Sequence, residues 1–532
     1  MGKVTTLNLA SIIEHQARLA PEKEAVIWND VRMTYGELNA LANRVAHALG
    51  ELGIEKGDKV ALSCPNLPYF PMVYYGILKA GAAVVPLNVL FKPREIAYHL
   101  EDSDAKAVFV FEGTDELPMA QMVKEGFDRA GTCEHLVVMT ADKLAPSPIE
   151  GHRTLTQLIY DKPAVYETVA TDPDDTCAIL YTSGTTGQPK GAELTHLNLF
   201  TNISTTYNIH LPVLDFTGGG QMTCLITLPL FHTTGQTVQM NTNMFAGNRV
   251  VLIPRFDPAA TLDAMEKERV NFWVGVPTMY WALLQYVKQT GRDVSKIKEF
   301  FKVPTSGGAP MPVEVMREFG EMFGVRILEG YGLSETSPLA TFNHFDRPSK
   351  PGTVGQPIQG VDVRCVDEEG RTVPAGERGE IVIRGPNVMK GYYKRPEATA
   401  EAFKNGWFHS GDIGIIDEDG YVQIVDRKKD MILRGGYNVY PRELEEVIMT
   451  HPAVSLVAVI GVPDEKMGEE VKAFLVLNEG AELSEKEFID WCKEQFAANK
   501  YPRYVEFRDE LPIGGTGKIH KLTLKKEVSG EQ

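Results

Sequence analysis

The sequence lacks any uninterrupted apolar run that approaches the roughly 18 residues of a membrane-spanning helix. At the N terminus, Glu14 and His15 interrupt the one candidate for the apolar core of a signal peptide. We therefore predict a soluble protein without a transmembrane segment that works in the cytoplasm. Transient contact with a membrane surface is left open.

Cysteine is scarce, and its spacing argues against domains held together by disulfides or by structural zinc. The six cysteines are scattered along 532 residues, with no C-x-x-C pair and no Cys/His cluster at zinc spacing. The sequence therefore predicts neither a disulfide framework nor a structural zinc site.

An excess of positive charge is also missing. Lysine and arginine number 54 against 71 aspartates and glutamates, which gives a formal net charge of −17. Long-range attraction to nucleic acid is not expected at this charge, so we predict no nucleic-acid partner. Any polyanionic ligand must be bound by a local group of basic side chains.

The length and composition indicate a folded protein of more than one domain. Domains commonly hold about 100–200 residues, so 532 residues exceed a single small core. Hydrophobic residues at 43% and charged residues at 23% are ordinary for globular proteins. We expect one large domain and one small one.

Strand and helix patterns alternate along the first 110 residues. Thr34 and Glu37 form a T-x-x-E capping box before an amphipathic run. A helical pattern over 69–80 is followed by extended Ala83–Pro86 and helical Pro93–Asp102. Such alternation predicts parallel strands joined by helical crossovers.

The same alternation returns between residues 222 and 329, after a polar and weakly periodic region from about 112 to 175. Residues 354–425 change to short alternating runs with turn signals, and a mixed pattern of helices and strands begins near 441. We predict an α/β protein with two doubly wound halves, a small β-rich subdomain and a small α+β C-terminal domain.

A loop rich in glycine and hydroxyl side chains follows the predicted strand 177–181. Glycines allow backbone N–H groups to turn toward an anion, and hydroxyls and a lysine add donors and charge. The Walker spacing fails, because Pro189 stands where its second glycine should be and Gly191 follows the lysine. The predicted polyphosphate ligands are Thr182, Ser183, Gly184, Thr185, Thr186, Gly187 and Lys190.

This loop resembles the signature of the AMP-forming, adenylate-forming enzymes, which include acyl-CoA synthetases, coumarate-CoA ligases, firefly luciferase and peptide-synthetase adenylation domains. Further motifs follow in the family's order over nearly the whole chain. The resemblance implies an N-terminal adenylation domain over 1–427 and a mobile C-terminal domain over 428–532. It implies that the enzyme uses ATP and Mg²⁺, with coenzyme A as a co-substrate. It leaves open whether the enzyme is a monomer or a homodimer.

The resemblance also assigns the nucleotide site. Segments 306–310 and 329–335 resemble the adenine and metal motifs, with Glu335 as the Mg²⁺ ligand and Ser334 in place of the usual threonine. Asp412 matches a ribose-binding aspartate, and Arg427 a second contact on that side. The nucleotide residues implied are Gly307, Gly308, Ala309, Glu329, Gly330, Tyr331, Gly332, Ser334, Asp412, Arg427 and Lys518.

The acid and thiol sites are implied in the same way. Pro229–His232 resembles the element beside the carboxylate, and the implied acyl pocket consists of His232, Gln236, Gly307 and Gly332. Lys518 resembles the lysine that acts on the α-phosphate, which with Glu335, His232 and Thr185 gives the expected catalytic set. Lys429 matches the hinge, and Gly435, Gly436 and Tyr437 border the incoming CoA.

The resemblance implies that a small carboxylic acid is adenylated with release of pyrophosphate and then transferred to CoA. The motifs together are most similar to those of fatty acyl-CoA synthetases, so a medium- or long-chain fatty acid is expected as the substrate. An arylalkanoate, 4-coumarate-type or other small-acid ligase is the alternative. A luciferase-like oxygenase and a non-catalytic nucleotide-binding module are more distant ones. Gln236 matches a tryptophan gate of some long-chain members, which puts that gate in doubt here.

Overall fold

The computed structural model describes residues 5–182, 188–214 and 220–529. In these ranges the strands are β1 Glu24–Trp28, β2 Val31–Thr34, β3 Lys59–Ser63, β4 Ala83–Pro86, β5 Ala105–Phe111, β6 His135–Met139, β7 Thr176–Thr182, β8 Lys190–Thr195, β9 Thr223–Ile226, β10 Arg249–Leu252, β11 Phe272–Gly275, β12 Val303–Gly307, β13 Leu328–Gly332, β14 Leu339–Phe342, β15 Gln356–Pro357, β16 Asp362–Val366, β17 Arg378–Arg384, β18 Gly391–Tyr392, β19 Phe403–Lys404, β20 Trp407–Ile416, β21 Val422–Arg427, β22 Ile432–Arg434, β23 Tyr437–Val439, β24 Val454–Asp464, β25 Gly468–Leu477 and β26 Tyr504–Phe507.

The α-helices of the same ranges are α1 Ser11–Leu19, α2 Tyr35–Glu51, α3 Tyr69–Lys79, α4 Pro93–Asp102, α5 Met119–Arg129, α6 Leu155–Ile159, α7 His196–Leu214, α8 Thr242–Phe245, α9 Pro258–Lys267, α10 Pro277–Thr290, α11 Ser295–Phe300, α12 Val313–Phe323, α13 Pro396–Ala402, α14 Pro441–Ile448, α15 Glu485–Gln495 and α16 Lys521–Ser529. A π-helix, Thr234–Asn241, precedes α8, and a 3₁₀ turn, Ser334–Thr336, follows β13. None of the helices in the described ranges is long and apolar enough to cross a membrane.

Two large sheets form the N-terminal part of the molecule. The first has seven strands in the order β18-β8-β7-β4-β3-β5-β6, and the second has nine in the order β15-β14-β13-β12-β11-β9-β10-β1-β2. The central strands of each are parallel, and antiparallel strands close one edge of the first sheet and both edges of the second. Central strands β4, β9 and β11 are buried at every position, as expected for sheets covered on both faces. The predicted pair of doubly wound halves is confirmed.

The β-rich and C-terminal parts are also as expected. The first forms a five-stranded sheet from β16, β17, β19, β20 and β21, and the second a five-stranded sheet from β22 to β26 with α14, α15 and α16. The domain boundary that we predicted at 427/428 falls between β21, the last strand of the β-rich sheet, and β22, the first strand of the C-terminal sheet.

Local capping explains where several helices begin and end. Thr34 accepts a hydrogen bond from the Glu37 backbone while the Glu37 side chain accepts one from the Thr34 backbone, which confirms the capping box of α2. Helix α10 begins with Pro277 and ends at Gly291, whose φ of 67° suits glycine. Pro277 thus begins α10 directly after β11, and Gly291 ends the helix after Thr290.

Three features differ from the sequence-based expectation. Residues 112–175 contain helices α5 and α6 and strand β6, although their periodicity was weak. Within the alternating region 222–329, where the sequence pattern predicts an α-helix over 235–246, residues Thr234–Asn241 form a π-helix. The N-terminal hairpin β1–β2, which no sequence pattern predicted, joins the nine-stranded sheet, with Val26 beside Val250.

Candidate active site

The two flanks of the phosphate loop form an antiparallel pair. Thr182 lies opposite Lys190, and Tyr181 lies opposite Gly191. A Cβ built on Gly191 would lie 2.5 Å from Ile179 Cγ2, so only glycine fits between the strands. The predicted ligands Ser183, Gly184, Thr185, Thr186 and Gly187 lie outside the described residues.

Side chains of α4 hold both flanks of this loop. The Tyr98 hydroxyl donates to the Pro189 carbonyl over 2.7 Å, and the Tyr181 hydroxyl donates to Asp102 Oδ2 over 2.9 Å. Arg395 forms an ion pair with the same Asp102 carboxylate. Sequence reasoning missed these residues, because no local motif links α4 to a loop some 90 residues later.

Glu335, the predicted metal ligand, is buried in the 3₁₀ turn after β13. Its Oε1 accepts a 2.9 Å hydrogen bond from the Tyr392 hydroxyl. Burial raises the pKa of this carboxyl, and the hydrogen bond from Tyr392 opposes the rise. The ring of Tyr392 also lies 5.3 Å from Lys190 Nζ. Tyr392 thus connects the predicted metal ligand with the lysine of the phosphate loop.

The chemistry of this site fits Mg²⁺ held partly by a substrate. In the described part of the chain, no cluster of three or more His, Cys, Asp or Glu side chains could hold a metal alone. Mg²⁺ is usually bound through one or two carboxylates together with substrate phosphates. Glu335, beside the flanks of the phosphate loop, matches that donor set.

The two predicted ribose contacts lie side by side. Asp412 on β20 pairs with Arg427 on β21, and Arg427 Nε lies 3.3 Å from Asp412 Oδ1. Burial raises the pKa of Asp412, and the Arg427 charge opposes the rise. The Tyr331 hydroxyl donates to Asp412 Oδ2 over 2.6 Å. The predicted adenine and ribose residues therefore share one hydrogen-bonded group.

The ends of β12 and β13 carry the predicted adenine segment. Gly307 pairs with Gly330, and a Cβ on Gly307 would meet only the Gly330 carbonyl oxygen, at 3.2 Å. Gly308 is exposed with a φ of 79°. The adjoining Ala309 and Ser334 are half-buried. This edge of the sheet leaves room for a planar ring against the backbone.

Glu329, also predicted as a nucleotide residue, is buried on β13 beside this edge. Its side chain accepts a hydrogen bond from the Met311 backbone, and its carbonyl accepts one from the Asn343 backbone. Burial raises its pKa to about 7. Position 332 requires glycine for packing, because a Cβ there would lie 1.7 Å from the Pro338 carbonyl oxygen.

Lys518 reaches this site from the C-terminal domain. A Cβ built on Gly308 would lie 3.0 Å from Lys518 Nζ, so the amine lies beside Gly308 at the end of β12. Burial and the Arg427 charge lower the pKa of Lys518 to about 8, and the Asp412 charge opposes the lowering. The structure thus brings together predicted residues from three regions of the chain.

The predicted acid-side residues adjoin this amine. Burial, followed by the charge of Lys518, lowers the pKa of His232 to about 3, so its ring is neutral at pH 7. The hydroxyl of the next residue, Thr233, donates a 3.3 Å hydrogen bond to the Ser334 hydroxyl. Gln236 is fully buried on the π-helix, and its amide donates to the Leu230 carbonyl over 3.4 Å. His232 therefore contributes no positive charge beside Lys518.

The predicted thiol and hinge residues lie elsewhere. Gly435 and Gly436 form the exposed turn between β22 and β23, with φ of 56° and 83°, and Tyr437 follows with 61% of its surface exposed. No hydrogen bond, ion pair or ring contact among the described residues joins them to the nucleotide site. Lys429 is exposed in the turn that follows β21.

Comparisons with known proteins agree with this geometry. The family model described as AMP-binding enzyme matches residues 13–393, and the model for the AMP-binding enzyme C-terminal domain matches 443–518. A long-chain-fatty-acid–CoA ligase of Bacillus subtilis is 36% identical over 541 residues, covering 98% of this chain and 94% of its own. A feruloyl-CoA synthase of Amycolatopsis is 37% identical over 512 residues, covering 96% and 97%. The crystal structure of an anthranilate CoA ligase with anthranoyl-AMP gives a TM-score of 0.88 at 29% identity, covering 98% of each chain.

Proposed function

The chain belongs to the AMP-binding enzyme family and is an ATP-dependent, AMP-forming acid–CoA ligase, and we propose that its acid is a medium- or long-chain fatty acid. Two kinds of support favour this substrate class. Long-chain-fatty-acid–CoA ligases match at 36% and 35% identity over nearly the whole chain. His232 is neutral, so it adds no second positive charge beside Lys518 that would bind a second acidic group of the substrate.

The observation that carries the proposed chemistry is the position of Lys518. Its amine lies beside Gly308 and within the field of Asp412 and Arg427, so we assign it to the α-phosphate and the substrate carboxylate. The carboxylate oxygen attacks the α-phosphorus, an O–P bond forms, and the bond to pyrophosphate breaks. Negative charge gathers on the phosphate oxygens in this step, and the Lys518 and Lys190 amines stabilise it.

Glu335 is the proposed ligand of Mg²⁺, which when bound supplies further positive charge at the phosphates. Tyr392 orients the Glu335 carboxylate through its 2.9 Å hydrogen bond. Tyr331 and the Asp412–Arg427 pair orient the nucleoside. In the second step the CoA thiolate attacks the acyl carbon, the thioester bond forms, and AMP leaves.

We propose that the unit 1–427 carries the ATP, Mg²⁺ and carboxylate sites, and that the mobile unit 428–532 presents a different segment to them in each step. The arrangement described here suits adenylation, since Lys518 is at the nucleotide site and Gly435–Tyr437 is not. Rotation about Lys429 would exchange them. All six cysteines are buried free thiols, which supports a cytoplasmic enzyme.

An arylalkanoate is the second candidate substrate. The feruloyl-CoA synthase relative supports it, as do two buried carboxamides on the π-helix, Gln236 and Gln239. Each has an Oε1 without a hydrogen-bond partner among the described residues, and such acceptors suit a substrate hydroxyl.

A panel of acids separates the candidates. Initial rates of AMP and acyl-CoA formation are measured with hexanoate, dodecanoate, palmitate, cinnamate and ferulate, each with and without CoA. A fatty acid should give the highest kcat/KM. A higher kcat/KM with ferulate would assign the arylalkanoate class, and absence of pyrophosphate release with every acid would refute both proposals.

A further inference from the structure

The loop that carries Lys518 contacts the N-terminal domain at a point far from the hinge. The Thr278 hydroxyl, in the first turn of α10, donates a hydrogen bond to the Gly517 carbonyl. Within the described ranges, the other hydrogen bonds between residues 5–427 and 428–529 lie at the junction itself. They join Lys428, Asp430, Met431 and Arg442 to Gly411, Ile424, Asp426 and Arg427.

Close packing surrounds this hydrogen bond. Gly517 has a φ of 79°, and a Cβ there would lie 2.9 Å from Val276 Cγ2 and 3.3 Å from Met279 Cε. A Cβ on Gly515 would lie 3.2 Å from both the Asn88 amide and Leu90. The loop backbone therefore rests directly on the start of α10 and on residues 88–90. Because Lys518 follows Gly517 immediately, the position of that carbonyl fixes the base of the lysine side chain.

We propose that Thr278 is a positioning residue for Lys518 that acts in adenylation and has no part in thioester formation. The inference rests on the proposed use of Lys518 in the first half-reaction. A hydrogen bond that exists in one domain arrangement stabilises that arrangement alone. Without it, the loop that carries Lys518 leaves the nucleotide site more often, while transfer to CoA takes place with the loop already withdrawn.

Two substitutions at Thr278 and one control on the same helix test the inference. Thr278→Val keeps the shape and removes the hydroxyl, and Thr278→Ser keeps the hydroxyl. Thr290→Val removes a hydroxyl at the exposed end of the same helix, which donates to the Tyr286 carbonyl over 2.7 Å and accepts from the Arg292 backbone over 3.4 Å, and which has no contact with the C-terminal domain among the described residues. All three are made in the full-length enzyme.

The half-reactions are measured separately with the best acid of the panel. Single-turnover formation of acyl-AMP without CoA should be about 5- to 10-fold slower in Thr278→Val, the usual effect of one lost hydrogen bond. It should stay within about twofold of wild type in Thr278→Ser and Thr290→Val. Conversion of presynthesised acyl-AMP to acyl-CoA should be equal in all four proteins. Equal losses in both half-reactions, or no loss in Thr278→Val, would overturn the proposal.

A distance measurement tests the same contact without any acid. Because the native cysteines are buried, spin labels can be placed on introduced cysteines at two exposed positions, Leu144 and Glu479. Pulsed EPR with ATP should show a smaller population of the present domain arrangement in Thr278→Val than in Thr278→Ser. Identical distance distributions would contradict the positioning role. Failure of the proposed function would instead be seen in the wild type, as absence of adenylation with every acid.

Discussion

The lowered pKa of Lys518 predicts how the first half-reaction depends on pH. This amine titrates near 8 instead of 10.5, because burial and the Arg427 charge disfavour the charged form. The charged form therefore predominates below pH 8 and is lost as the pH rises through that value. At pH 7 the ratio of charged to neutral amine is about 10 to 1, and at pH 9 it is about 1 to 10. Adenylation needs the charged amine, so kcat/KM should fall about tenfold between pH 7 and pH 9 with a midpoint near 8.

The measurement is acid-dependent exchange of pyrophosphate into ATP without CoA, at constant ionic strength and subsaturating acid and ATP. Lys518→Arg keeps a cation whose pKa lies above about 12, so its rate, although lower, should show no fall over this range. Lys518→Ala should lose about 100- to 1,000-fold in adenylation and also lack the fall. Thioester formation from presynthesised acyl-AMP should change little in either variant.

Two results would refute this reasoning. A fall of the same size in Lys518→Ala would assign the titration to another group. A constant wild-type kcat/KM from pH 7 to pH 9 would show that the amine keeps its ordinary pKa or that its charge is not needed.

The site makes three further predictions. Glu335→Gln removes the anionic ligand, so the Mg²⁺ concentration for half-maximal adenylation should rise at least about tenfold; an unchanged Mg²⁺ titration would show that Glu335 is not the ligand. Tyr392→Phe removes the hydrogen bond that orients Glu335, so calorimetry should show about tenfold weaker binding of ATP with Mg²⁺ and unchanged binding of ATP without it; equal weakening under both conditions would assign Tyr392 to the general fold. Lys429→Pro fixes φ and removes a backbone donor at the proposed hinge, so quenched-flow assays should show acyl-AMP accumulating while acyl-CoA formation falls at least about 100-fold; equal slowing of both half-reactions would place the turning point elsewhere.

The sequence was sufficient for the layered architecture because that architecture depends on local periodicity. Strand and helix patterns of the second half, such as β10 followed by α9, were readable one element at a time. The partner of β1 was not readable, because Val26 pairs with Val250 across most of the N-terminal domain. The π-helix was missed for a different reason: its only large apolar residues, Val238 and Met240, stand two positions apart and give no pattern that distinguishes a π-helix from an α-helix.

The candidate site was foreseen to a similar degree. Short motifs identified Glu335, Asp412 and Lys518 one at a time. The structure adds their neighbours, which are Tyr392 at Glu335, Arg427 at Asp412 and Gly308 at Lys518. Tyr392 was not singled out, because its importance comes from pairing β18 with β8 in the first sheet, which puts it beside Glu335 and Lys190. Thr278 was missed because its hydroxyl contacts a loop 239 residues later.

The place of β1 in the second sheet has a consequence for synthesis on the ribosome. The register Val26–Val250 means that the hairpin β1–β2 leaves the ribosome long before its partner strand β10 exists. At about 5–20 residues per second, the 224 residues between them take about 11–45 s to translate. During that time β1, whose Ala25 and Ile27 are buried in the finished fold, has β2 along one edge and lacks its native neighbour β10 along the other. The nascent chain should therefore engage holding chaperones through its N-terminal segment until the second half is complete.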